Sequence, residues 1–333
     1  MMTIVQNTLS ALLVASWITC AGAHAVVLSD LNDRVVTPGQ TSYGIDLDGV
    51  ALLGASLDPS PQAFEDIVSY CSGALITGRH VLTAAHCLDE DHDGLVDGIV
   101  ADVPLFAAFE LADRVLMLRV NATTIQFPSA WPGLADLAIV ELEQDAPAEI
   151  PRYPLYGFAN EVGQQIVIAG YGKTGHGATG VNDAASSVTA KRAGLNRYDS
   201  VRDEVYLAYD FDSGQEQHNA LGIIGFASDL GFGIEEASAA AGDSGGPVFI
   251  DGAIAGLSSY GARLPSADID AMYNSSWGEA SFDIRVSSFQ EFILTATDGQ
   301  AVFVPEPRTW TLSTVAIVLL ACTQIRRRAR KQD

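Results

Sequence analysis

Short apolar runs, separated by turns rich in Gly, Pro, Asn and Asp, recur along the middle of the chain. They fall at 49–53, 74–76, 81–83, 115–120, 137–141, 165–169, 204–208, 247–250 and 253–257. Runs this short, at this spacing, predict strands of a sandwich or barrel rather than helices. Residues 287–296 alone carry a pattern that predicts a helix. The expected body is therefore all-β with a short C-terminal helix, and no long repeat interrupts it. Two longer apolar runs, 9–18 and 310–325, stand outside this rhythm at the two ends.

The run 9–18 is followed by small residues and by Ala23-His24-Ala25, which fits an A-x-A cleavage site, so residues 1–25 read as a secretory signal. Its first residues carry no Lys or Arg, which makes it a weak example of the class. Residues 26–34 form a candidate pro-segment. At the other end, 297–333 reads as a linker plus tail. Val304-Pro305-Glu306-Pro307 precedes the 310–325 run, and Arg326-Arg327-Arg328-Ala329-Arg330-Lys331 follows it. That run sits at the lower limit of about 17 residues for a bilayer span, and the basic cluster favours the cytoplasmic side. Pro-Glu-Pro, a short span and terminal arginines resemble the bacterial PEP-CTERM sorting signal. The resemblance implies an exosortase-type processing enzyme, transient membrane insertion, and release to the surface or extracellular matrix of a Gram-negative-type bacterium. The alternative is a permanent single-span anchor with an exported domain.

The formal net charge is −23. Six of the 18 basic residues lie in the tail from Phe303 onward, so the body is more acidic still. Such a surface repels nucleic acid and excludes it as a partner.

Three distant stretches carry the chemistry: Leu82-Thr83-Ala84-Ala85-His86-Cys87, Asp136-Leu137-Ala138-Ile139-Val140 and Gly242-Asp243-Ser244-Gly245-Gly246-Pro247. A serine hydroxyl attacks an amide carbon poorly unless an imidazole takes its proton and a carboxylate orients that imidazole. Gly242-Asp243-Ser244-Gly245-Gly246 also fits the G-x-S-x-G elbow of another hydrolase fold, which needs its histidine after the serine. The last histidine is His218, so that reading fails.

The order His, Asp, Ser and these motifs resemble the trypsin/chymotrypsin-like serine peptidases over most of 35–296. Cys71-Ser72-Gly73-Ala74-Leu75-Ile76, Gly170-Tyr171-Gly172, Ser259-Tyr260-Gly261 and Phe282-Asp283-Ile284-Arg285-Val286 extend the match. The resemblance implies two six-stranded antiparallel β-barrels, at about 35–150 and 155–296, with the crossover at 146–154 and the site in the cleft between them. It implies a secreted endopeptidase acting on protein or peptide substrates through an acyl-enzyme. In that scheme His86 is the base and then the acid, Asp136 orients it, and Ser244 is the nucleophile. The N–H groups of Gly242 and Ser244 form the oxyanion hole. Ser259 bonds the buried carboxylate, and Asp243 pairs with a freed amino terminus. Arg34-Val35 offers such a terminus at Val35; maturation by the signal cut alone is the alternative.

Ser238, Ser259, Tyr260 and Gly261 are expected at the substrate pocket. Ser238 puts no carboxylate at the floor, which argues against Arg or Lys at the cleaved position, and Gly261 suits an apolar or aromatic side chain. Cys71 and Cys87 are the pair left in the exported body, and an exported pair is expected as a disulfide. Three insertions depart from the family pattern, at 89–105, 173–196 and 263–279. In the first, Asp89, Asp91, Asp93 and Asp97 with the Leu95 carbonyl and Gly94 match the start of an EF-hand loop, although position twelve is Val100. A structural Ca²⁺ and a solvated acidic turn are both compatible with that spacing. Catalysis itself requires no cofactor. The competing function is a catalytically silent binding module of the cell surface or matrix.

Overall fold

The computed structural model describes residues 27–28, 34–97, 103–182 and 190–304. The signal segment and the 310–325 tail lie outside the described residues. Among the described residues, no helix is long and apolar enough to cross a membrane.

The first half is a six-stranded antiparallel sheet built from β1 (Val50–Ala55), β2 (Ser69–Leu75), β3 (His80–Thr83), β4 (Leu105–Glu110), β5 (Val115–Arg119) and β6 (Ala138–Glu141). Its order is β5-β4-β1-β2-β3-β6, and a bridge from Val120 to Leu142 joins the two edges into a barrel. Every residue of β1 is buried. Ala51 and Leu53 face the barrel interior with Leu75, Val81 and Phe109, while Val50 and Leu52 join a second cluster with Phe249 and Ile254 of the other half. A strand buried on both faces reads as a continuous apolar run, as 49–53 does.

The second half holds β7 (Gln165–Gly170), β8 (Arg192–Arg197), β9 (Ser200–Arg202), β10 (Tyr206–Asp210), β11 (Pro247–Ile250), β12 (Ala253–Arg263) and β13 (Glu279–Arg285). Their order is β8-β7-β11-β12-β13-β10-β9. Six strands are joined by a short seventh, β9, which the sequence pattern did not announce. It hangs on a tight hairpin in which Asp203 and Glu204 both take positive φ, 51° and 61°, and Val205 N–H bonds Arg202 C=O. Two consecutive left-handed residues define the turn whose twist suits a two-residue hairpin. The predicted helix is split: Val286–Phe289 forms a 3₁₀ turn and Gln290–Ala296 the α-helix.

Residues 27–28 form a two-residue strand that pairs antiparallel with Ala237–Ser238. Val27 is fully buried there, beside Phe211 and Ala240. The end of the 173–196 insertion, where the apolar pattern predicts no strand, forms β8, paired along its length with β7. Its Arg192 and Asn196 are buried polar residues, which hid the strand from an apolar pattern.

Candidate active site

His86 sits in a 3₁₀ turn, Ala85–Cys87, directly after β3, and Asp136 lies just ahead of β6, the strand paired with β3. That pairing brings residues fifty apart in sequence together. His86 Nδ1 lies 2.7 Å from Asp136 Oδ2, and the His86 backbone N–H donates to Asp136 Oδ1 at 2.9 Å. Ser259, from β12 of the other half, donates its hydroxyl to the same carboxylate. Three donors hold the acid, as a group that must stay ionised beside an imidazolium requires. Burial opposes its charge, but His86 and the Ser259 hydroxyl outweigh this and the Asp136 pKa falls below its ordinary value. For His86 burial again opposes the charged form, and the Asp136 charge and hydrogen bond turn the net shift upward.

Ser244 is 1% exposed and lines a cleft with Ser259, which places the nucleophile candidate beside the residue that holds Asp136. Its Oγ makes no hydrogen bond among the described residues; such bonds often tighten only when substrate is bound. The loop carrying it is fastened from the first half. Ser72 N–H donates to the Ser244 carbonyl at 2.8 Å, and Ser72 Oγ donates to the Gly242 carbonyl at 2.9 Å. Gly242 takes φ 106°, and Gly245, at φ 74°, lies so close to Ala84 N and Ser72 O that a β-carbon would stand 2.5 and 2.6 Å from them. Only glycine fits those two positions without strain. The Ala241 carbonyl is taken by Lys173 N–H and the Asp243 carbonyl by Gly246 N–H. Because a trans peptide points its N–H opposite its carbonyl, these two bonds fix the directions of the Gly242 and Ser244 N–H groups.

Asp243 is fully buried against Gly170 and accepts from Gly172 N–H at 3.2 Å. Its Oδ2 has no hydrogen-bond partner among the described residues. Burial pushes its pKa up to about 8, with Gly172 and the Arg192 charge pulling the other way. Val35, 47% exposed, lies in a bridge to Arg192, and the preceding Arg34 pairs with Glu235. Cys71 and Cys87 form the disulfide, with Cα atoms 6.2 Å apart, tying β2 to the histidine turn.

The cleft is lined by Ala239, Ser244, Ser258, Ser259, Tyr260, Tyr273, Ser281 and Asp283. Ser259 and Tyr260 thus line the cleft that holds Ser244. Ser238 lies one step behind, its hydroxyl 3.1 Å from that of Ser281. Gly261 does not open the mouth, because the Tyr273 ring packs on it. Ala239, Ser258, Tyr273, Ser281 and Asp283 escaped the sequence reading of the pocket, two of them with chemistry of their own. Tyr273 comes from the 263–279 insertion, where no pattern marks it. Asp283, opposite Ser258 on β13 and fully buried, receives the Tyr198 hydroxyl at 2.7 Å, and burial pushes its pKa up to about 7. It sat inside a motif whose apolar neighbours drew attention instead.

In the acidic loop Asp89, Asp91 and Asp97 bring carboxylate oxygens within 4.8 Å of one another. Asp93 turns elsewhere and accepts from Leu95 N–H at 2.8 Å. Asp89 already accepts from Gly94 N–H and the Trp131 indole. Three of the five expected ligands converge, which fits a cation with oxygen ligands in part.

The trypsin family model matches residues 60–293. An uncharacterized peptidase of Corynebacterium glutamicum (strain R) is 24% identical over 263 residues, covering 74% of this chain and 76% of that protein. Neuropsin, a serine protease expressed in the limbic system of mouse brain, superposes with a TM-score of 0.52 at 14% identity, over 80% of this chain and 99% of that one. That last likeness speaks for the fold. With a two-barrel fold, a His–Asp pair of the first half bonded by a serine of the second and a family match spanning most of its length, the chain belongs to the trypsin family.

Proposed function

We propose that the protein is a secreted serine endopeptidase in which Ser244 attacks the peptide carbonyl, His86 moves the proton and Asp136 holds His86. The observation that carries this is the Asp136 carboxylate, which His86 and Ser259 grip from opposite halves. A carboxylate so held keeps His86 with its proton on Nδ1, leaving Nε2 to accept the serine proton. The attack forms the Ser244 Oγ–carbon bond and moves the carbonyl electron pair onto oxygen, where the Gly242 and Ser244 N–H groups stabilise it. His86 then gives its proton to the leaving amine, and water repeats the sequence on the acyl-enzyme. A fluorophosphonate probe tests this. Labelling that Ser244→Ala abolishes supports catalysis. An unlabelled mature protein supports the silent binding module.

The pairing of residues 27–28 with the strand next to Asp243 favours maturation by the signal cut alone over a cut after Arg34. Amino-terminal sequencing of active protein separates the two, since a start at Val35 excludes the first. Export and surface release through the 305–333 tail complete the proposal. Mass analysis of the carboxyl terminus checks whether the apolar run is removed.

A further inference from the structure

The cleft beside Ser244 reaches about 220 Å³ only when the open solvent at its mouth is counted, so its enclosed part is small. What narrows it is Tyr273. A β-carbon at Gly261 would collide with the Tyr273 hydroxyl oxygen and stand 2.8 Å from Cζ and 3.1 Å from Cε2, so the phenol abuts, hydroxyl first, the backbone that the sequence left open.

The ring is held there by the whole of its loop. The Tyr273 hydroxyl is hydrogen-bonded to Ser275, whose own Oγ donates to the Ala239 carbonyl on the cleft wall at 3.0 Å. Glu279, 1% exposed, accepts from Asn274 N–H at 3.0 Å and from Ser275 N–H at 2.7 Å. Val181 N–H donates to the Asn274 carbonyl and Trp277 N–H to the Gly177 carbonyl, both at 2.8 Å. Arg263 closes the base of the loop on Asp268. A side chain carried on a loop anchored at this many points is part of the pocket wall rather than a swinging lid.

We propose that Tyr273 is the specificity-determining residue of this site and restricts the cleaved position to small side chains, alanine or serine. The inference rests on the peptidase reading above and narrows its substrate class. It replaces the apolar or aromatic preference that an open Gly261 would give.

The test compares peptides that differ only at the cleaved residue, carrying Ala, Ser, Leu, Phe or Lys, with labelling of Ser244 by fluorophosphonate followed in parallel. Alanyl and seryl peptides should be cleaved about 100-fold faster in kcat/KM than the phenylalanyl peptide. Tyr273→Ala should raise the ratio of the Leu and Phe rates to the Ala rate about tenfold or more. Tyr273→Phe removes only the hydroxyl that abuts Gly261 and should change the ratio less than Tyr273→Ala does. Comparable rates for Ala and Phe, a preference for Lys, or an unchanged ratio in Tyr273→Ala overturns the proposal; a Lys preference would point to Asp283 instead. Because Tyr273→Ala could fail to fold, protection from labelling is also measured on the unmutated protein. A peptide boronate ending in alanine should block the probe, and equal blocking by its phenylalanine counterpart counts against Tyr273. Absence of any labelling removes the peptidase reading and this inference with it, whereas labelling with the wrong ratio removes this inference alone.

Discussion

Asp136 works by direction as much as by charge. One oxygen fixes the His86 backbone and the other its ring, so an amide at 136 would keep the shape and reverse the polarity at one contact. Asp136→Asn should lower kcat/KM by about 10⁴-fold through the wrong imidazole tautomer, with thermal stability little changed. A loss confined to stability would deny Asp136 its role. The net upward shift of His86 also places the acid limb of the kcat/KM profile above about pH 6.5, the ordinary histidine value. Activity rises through that limb because the base must be neutral, and a limb well below it would mean that Asp136 is not charged. His86, Asp136, Ser244 and Ser259 could be named from the sequence because each proposed chemical role demands one residue type in one motif. Tyr273 and Asp283 were not, because their roles come from where a loop and a strand face happen to lie.

At the level of elements, the disulfide and the acidic loop flank the histidine turn. The Cys71–Cys87 bridge closes a loop of 16 residues' separation, for which the chain-entropy estimate is about 3 kcal/mol. Reduction, or Cys71→Ala with Cys87→Ala, should lower the melting temperature by about 6–12 °C. An unmoved transition would mean that the bridge does not constrain the unfolded chain. In the acidic loop, Asp89, Asp91 and Asp97 converge, so Ca²⁺ should raise the melting temperature and a chelator should return it. No response to either leaves a plain solvated turn. Strands buried on both faces, such as β1, were evident from their apolar runs. β8 was missed because Arg192 and Asn196 are buried through hydrogen bonds, Asn196 to the Asp210 and Ala237 carbonyls at 2.8 Å each, and apolar periodicity has no signal for that.

Across the whole molecule the acidity extends inside. Burial raises the pKa of Asp199, Glu236, Asp243 and Glu279 to about 8 and of Asp212 to about 9. Between the unfolded carboxylate range near 4 and these values the native protein holds more protons than the unfolded chain, so stability falls as pH rises. Lys191, lowered to about 8 by burial, acts only above that value and does not offset the trend. Calorimetry from about pH 5 to about pH 8 should therefore show a falling melting temperature. A flat or rising curve would mean that these carboxyls are ionised in the folded state.

The grip of Ser72 on the carbonyls of Gly242 and Ser244 has a consequence for how the enzyme can be taken apart. The strand that ends at Leu75 belongs to one half and the loop it clasps to the other, so neither half carries the whole candidate site alone. Prising the halves apart by even a hydrogen bond's length would blunt the nucleophile while both sheets stayed intact, and inactivation should precede melting.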